Sequence, residues 1–142
     1  MSKIALFAAT AALAIVGGIR AQTMPVDVEA NIPFPFTVGK ATLPSGDYVI
    51  RPLDEGEIQV MAAKGHPSAV TTVMSTQADK PAPTTELIFN RYGSREFLSR
   101  IVIDGEQHGL ELLPSKAEKK LSAAGQKPVT HSHPASKSKR KT

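Results

Sequence analysis

The side chains able to do chemistry in this sequence are few and scattered. Four histidines (His66, His108, His131 and His133), 13 carboxylates and hydroxyls such as Ser94 and Ser99 are the acid–base and nucleophilic candidates, and there is no cysteine. Hydrolysis by a side-chain nucleophile needs that group beside a base which a third group orients. No nucleophile elbow or comparable local signature gathers such groups here. His66 lies between Gly65 and Pro67, and His108 precedes Gly109 on an expected turn, so both read as exposed loop histidines. His131 and His133 have a chelating spacing, but a metal site takes three or four ligands and this pair stands alone. No glycine-rich phosphate loop follows a strand pattern. These residues imply no cofactor, no metal and no enzyme.

Binding is the better use of what remains. Arg91, Tyr92, Arg95 and Arg100 lie close together in the chain, and Tyr with Arg is the combination enriched at binding hot spots. They form the candidate contact surface. The competing reading has Tyr92 packed over a neighbouring strand while the arginines solvate a turn. Phe34 and Phe36 read as core side chains rather than a ligand platform.

The elements that must position these residues are strands. Val26, Val28, Ala30 and Ile32 alternate with Asp27, Glu29 and Asn31, which is the period of a half-buried strand. Pro33 and Pro35 follow; lacking an N–H for the ladder, they imply an edge, a bulge or a crossing between sheets. Short strands are expected over 41–43, 48–53, 57–61, 69–76, 85–90, 96–103 and 108–112. The clearest hairpin joins 85–90 to 96–103 through Arg91-Tyr92-Gly93-Ser94-Arg95. Ser115-Lys116-Ala117-Glu118 has the spacing of a capping box, so a helix is expected over 115–124, docked through Leu112, Leu113, Ala117 and Leu121. The fold class is all-β, mainly antiparallel. It is a sandwich or small barrel of about seven short strands with one C-terminal helix.

The two ends differ from this body. Met1-Ser2-Lys3, an apolar run from Ile4 to Val16 and a small residue at Ala21 have the three-part layout of a secretory signal peptide spanning 1–21. The apolar run is short for a membrane span, although an uncleaved anchor is the alternative. The body extends over 22–124. Residues 22–126 carry a balance of −3 and residues 127–142 one of +5. The segment 125–142 is rich in Lys and Ser and poor in apolar groups, so it reads as a disordered basic tail. Such a tail suits an anionic surface in the envelope. The acidic body disfavours specific nucleic-acid binding.

Four stretches occur in order: Ile32-Pro33-Phe34-Pro35-Phe36-Thr37-Val38-Gly39, Leu43-Pro44-Ser45-Gly46-Asp47-Tyr48, Phe89-Asn90-Arg91-Tyr92-Gly93, and Leu113-Pro114-Ser115-Lys116-Ala117-Glu118. Together they resemble a family of small exported proteins abundant in acidobacteria, over about Val26 to Leu121. The resemblance implies an exported β-domain and transfers no catalytic residue; relatives often carry His where this sequence has Asn90. Leu43-Pro44-Ser45-Gly46-Asp47-Tyr48 also resembles the strand entry of prealbumin-like sandwich modules of cell-surface proteins. The expected function is a non-enzymatic binding or structural module of the periplasm, cell envelope or exterior, with a protein or envelope polymer as partner. A secreted hydrolase with dispersed site residues and a membrane-held form are the alternatives.

Overall fold

The computed structural model describes residues 26–53 and 56–139. The signal segment 1–21 and two residues of an expected turn, Asp54 and Glu55, lie outside the described residues. Strands form where the period-two pattern runs: β1 (Val26–Ile32), β2 (Phe36–Val38), β3 (Ala41–Leu43), β4 (Gly46–Leu53), β5 (Glu57–Ala62) and β6 (Ser68–Gln77). They continue as β7 (Glu86–Tyr92), β8 (Arg95–Val102), β9 (His108–Leu112), β10 (Val129–Pro134) and β11 (Ser136–Lys139), with helix α1 (Lys116–Ala123) between β9 and β10.

The 11 strands form one open, almost wholly antiparallel sheet in the order β10-β7-β8-β9-β6-β5-β4-β1-β11. β2 lies beside β8 in parallel, and β3 pairs with β2. The sheet has two halves, and the chain passes between them at four places, one of them the Pro44–Ser45 turn that returns it from β3 to β4. β6 pairs with β5 along Ser68–Thr72 and with β9 along Val73–Gln77. Pro33–Pro35 carries the chain from β1 in one half to β2 in the other, so of an edge, a bulge and a crossing the structure has the crossing. Ala135 separates β10 on β7 from β11 on β1, and its N–H donates to the Thr85 carbonyl at 3.1 Å.

One core lies between the halves. Val28, Ile50 and Ile58 meet Leu87, Phe89 and Ile101 there, all at most 2% exposed. Each side chain of this size contributes about 1.5–3 kcal/mol on burial. Phe36 stands edge-on to Tyr48, with ring centres 5.0 Å apart, and to Phe89 at 5.9 Å. The Tyr48 hydroxyl donates to the Pro44 carbonyl at 2.6 Å, so the Leu-Pro-x-Gly-x-Tyr motif is a turn closed by its own tyrosine.

Local chemistry sets the connections. Only Gly93 and Ser94 lie between β7 and β8, a tighter turn than the five-residue connection expected, and Gly93 takes the positive φ (+64°) it needs. Gly109 belongs to β9 and not to a turn. Its missing side chain lets β9 approach β8: a Cβ there would stand 2.9 Å from the Ile101 carbonyl oxygen. Helix α1 starts where the cap predicts, with the Ser115 hydroxyl accepting from the Glu118 N–H at 3.1 Å. None of its residues is fully buried, so the docking expected through Ala117 and Leu121 is only partial.

The segment expected to be a disordered tail is arranged differently in the structure. Val129–Pro134 pairs with β7 and Ser136–Lys139 pairs with β1; residues 140–142 lie outside the described residues. Composition misses this because main-chain hydrogen bonds, which every residue can offer, hold these strands. No helix among the described residues is long and apolar enough to cross a membrane.

The backbone oxygen facing Gly109 cannot swing aside as a side chain can. Gly109→Ala is therefore expected to cost about 1–3 kcal/mol in urea unfolding. Thr72→Ala on an exposed strand face should stay within about 0.5 kcal/mol of the parent.

Candidate functional site

The hairpin does not present Arg91, Tyr92, Arg95 and Arg100 as one patch. β7 and β8 pair with a bulge: Ile88 faces Arg100 and Phe89 faces Leu98, leaving Ser99 as the extra residue. Asn90 and Tyr92 then share the face opposite Phe89, and α1 covers that face. Tyr92 is 6% exposed, with its ring edge-on to Phe97 at 5.6 Å. Arg95 caps this pair, its guanidinium 5.2 Å from the Phe97 ring centre, an arrangement with cation–π attraction. Arg91 is exposed at the strand end opposite Glu96, and Arg100 is exposed beside Glu111 of β9. The three arginines remain open to a partner, whereas Tyr92 is a packing residue.

Glu118 docks the helix. Its carboxylate accepts from Asn90 Nδ2 at 3.1 Å and from the Tyr92 hydroxyl at 3.2 Å, while Thr130 donates to Asn90 Oδ1 at 2.9 Å. Capping-box spacing lets Glu118 turn back to its own helix start, but here it reaches the hairpin. Burial pushes the Tyr92 phenol above its ordinary value of 10.0, and the Glu118 charge and hydrogen bond add to the rise. Burial alone pushes Tyr48 up.

Sequence reasoning missed the densest cluster of functional groups, at the seam where β10 and β11 meet the body. His131 and His133 alternate on β10, so both face inward, toward Phe34. The His131 ring stacks on Phe89 with centres 5.7 Å apart and planes inclined by 21°, and its Nε2 lies 2.7 Å from Glu96 Oε1. The Glu96 side chain is only 8% exposed, so the imidazole supplies the partner that a buried carboxylate requires. His133 Nε2 donates to the Asn31 carbonyl at 2.7 Å, linking β10 to the end of β1. The His-x-His spacing was the available signal, and in the structure both rings dock the strand. Among the described residues no group of three metal-ligating side chains occurs.

The remaining candidates stay apart. His66 and His108 are exposed; Ser94 sits in the hairpin turn and Ser99 at the bulge. His108 borders an open cavity of about 630 Å³ with Pro81, Pro83 and Val102 on its wall. Glu96 and His131 form a carboxylate–imidazole pair, and no hydroxyl is hydrogen-bonded to either imidazole of β10 among the described residues.

Comparison with protein-family models, with curated proteins and with solved structures finds no match.

Losing the His131 ring strands the Glu96 carboxylate. His131→Ala is expected to destabilise by about 1–3 kcal/mol in urea unfolding, with part of the loss recovered by adding Glu96→Gln. The phenols give an independent check by absorbance at alkaline pH. Glu118→Ala should lower the Tyr92 titration toward its ordinary value and leave Tyr48 in place. Both folded phenols hold their proton more tightly than the unfolded chain does. The contribution of these two phenols to stability should therefore be constant below pH 10 and be lost as the pH rises above it.

Proposed function

We propose that this chain is an exported β-rich protein of the periplasm or cell envelope that acts as a non-enzymatic binding module. It takes an extended protein or polymer segment along its strand edges. One observation carries the reading: the basic segment from Val129 to Lys139 lies along the outer edges of β7 and β1, yet no side chain from Val129 to Ser138 is fully buried. The body thus holds a basic strand chiefly through main-chain hydrogen bonds, the physics of β-augmentation. Glu29 and Glu86 on those edges suit a basic occupant, whereas Asp27 is buried and paired with Arg51 at 3.1 Å. The layout of residues 1–21 and the four-motif resemblance to exported proteins support the compartment.

A second reading, a secreted hydrolase, has the Glu96–His131 pair in its favour. His131→Gln separates the two: loss of ester turnover with the fold intact would establish the hydrolase. A membrane-held form retains residues 1–21. Attachment to an anionic surface has exposed Lys127 in its favour, whereas Lys137 donates to the Asp104 carbonyl at 3.0 Å.

Two measurements test the main reading. Intact mass of the exported chain should place Gln22 at the N-terminus. Photo-crosslinking in intact cells from Ser132 on β10 should give discrete adducts in the envelope fraction, and crosslinking from exposed Thr72 should give none. Equal adducts from both positions would remove the strand edge as the binding site.

A further inference from the structure

The C-terminal strands are attached in a way that sets them apart from the rest of the sheet. β1, β4, β5, β7 and β8 each contribute residues at most 3% exposed to the core, whereas β10 contributes no buried residue and β11 none among those described. What holds the segment is a ladder of six register pairs on β7 and four on β1, the Ala135 bond to Thr85, two histidines and Lys137. A segment with little apolar burial and many edge hydrogen bonds belongs to the least stable part of a fold and opens first. Between α1 and β10 stand Ala124, Gly125, Gln126, Lys127 and Pro128, all exposed, with Gly125 at φ +89°. Ala124, Gly125 and Gln126 close the helix end with N–H bonds to the Lys120, Ser122 and Leu121 carbonyls, so Lys127 and Pro128 are the place for the segment to turn away while Glu118 holds α1 on the hairpin.

Opening leaves a site of definite chemistry. It presents two strand edges, the Phe34 and Phe89 rings, the Glu96 carboxylate and the Asn31 carbonyl. A fitting occupant is an extended, basic strand with imidazoles at alternate positions followed by a residue that crosses between the halves. The strand Val129–Lys139 of any other copy has those features in the same register.

We infer that this site exchanges its occupant: β10 and β11 of one copy seat on β7 and β1 of a second, giving a strand-exchanged dimer at high protein concentration. This rests on the strand-edge reading above and names a second copy as the partner. Exchange is nearly isoenergetic at the site because each bond lost within one chain is remade between two. Concentration and strain at Lys127 and Pro128 then set the balance.

The test uses the full chain, which has no native cysteine to interfere. Ser132 faces Ile88 across the β10–β7 ladder, a spacing that a disulfide can bridge. Chains carrying Ser132→Cys are mixed with chains carrying Ile88→Cys under mild oxidation, and the linked species are weighed by mass spectrometry. Exchange predicts heterodimers forming about tenfold faster than with a Ser94→Cys control, and rising with concentration. A double variant, Ser132→Cys with Ile88→Cys in one chain, reports the register itself. If the double variant closes within the chain but the mixture forms no heterodimer above the control, exchange is overturned and the strand-edge site stands. If the double variant does not close either, both readings are overturned. Native mass spectrometry of mixed isotope-labelled parent chains, warmed and cooled, gives a variant-free readout: mixed-mass dimers support exchange, and only monomers at every concentration overturn it.

Discussion

Phe36 touches Tyr48 on one side and Phe89 on the other, and through those two edge-on contacts a single ring ties the halves of the sheet together. Its place follows from Pro33 and Pro35, which interrupt the ladder after β1 and send the chain across to β2. Phe34, one step earlier, faces the seam, where Phe89 and both C-terminal histidines meet it. The Pro-Phe-Pro-Phe stretch thus supplies the core with one aromatic and the closing strand with another. Aromatic pairs of this geometry add roughly 0.5–1.5 kcal/mol each beyond their buried area. Losing Phe36 would therefore loosen both halves together.

The four sequence motifs meet in space as a chain of contacts. Phe36 joins the first to Tyr48 of the second and to Phe89 of the third, and Tyr92 and Asn90 of the third hold Glu118 of the fourth. Tyr48 closes its own turn on Pro44. Tyr92, a candidate contact residue in the sequence, is thereby committed to holding the fold. Buried groups find partners throughout: among the described residues no buried side-chain nitrogen or oxygen lacks a hydrogen bond.

What was legible in the sequence was local. The alternation over Val26–Ile32, the hairpin around Gly93 and the Ser115 cap depend on neighbours a few residues apart, and the structure places a strand, a turn and a helix start there. The C-terminal strands were not legible, because their pairing needs partners far back in the chain and little apolar area marks them. The candidate contact surface failed as a unit for another reason. A single extra residue, Ser99, shifts the β7–β8 register, and a helix from elsewhere covers Tyr92. Neither event leaves a trace in the spacing of the four residues. Glu96 was likewise invisible, since its partner His131 is fixed only once β10 lies on β7.

The pairing of Val26 with Lys139 brings the two ends of the described chain onto adjacent strands, about 5 Å apart. The path therefore returns to its starting point, and the fold is nearly a ring. A short linker from 139 back to 26, with the chain opened at the exposed Gly93–Ser94 turn, would keep every ladder except the hairpin's own connection. The chain therefore enters β1 and leaves β11 at one and the same corner of the molecule, and the far ends of both halves lie away from it.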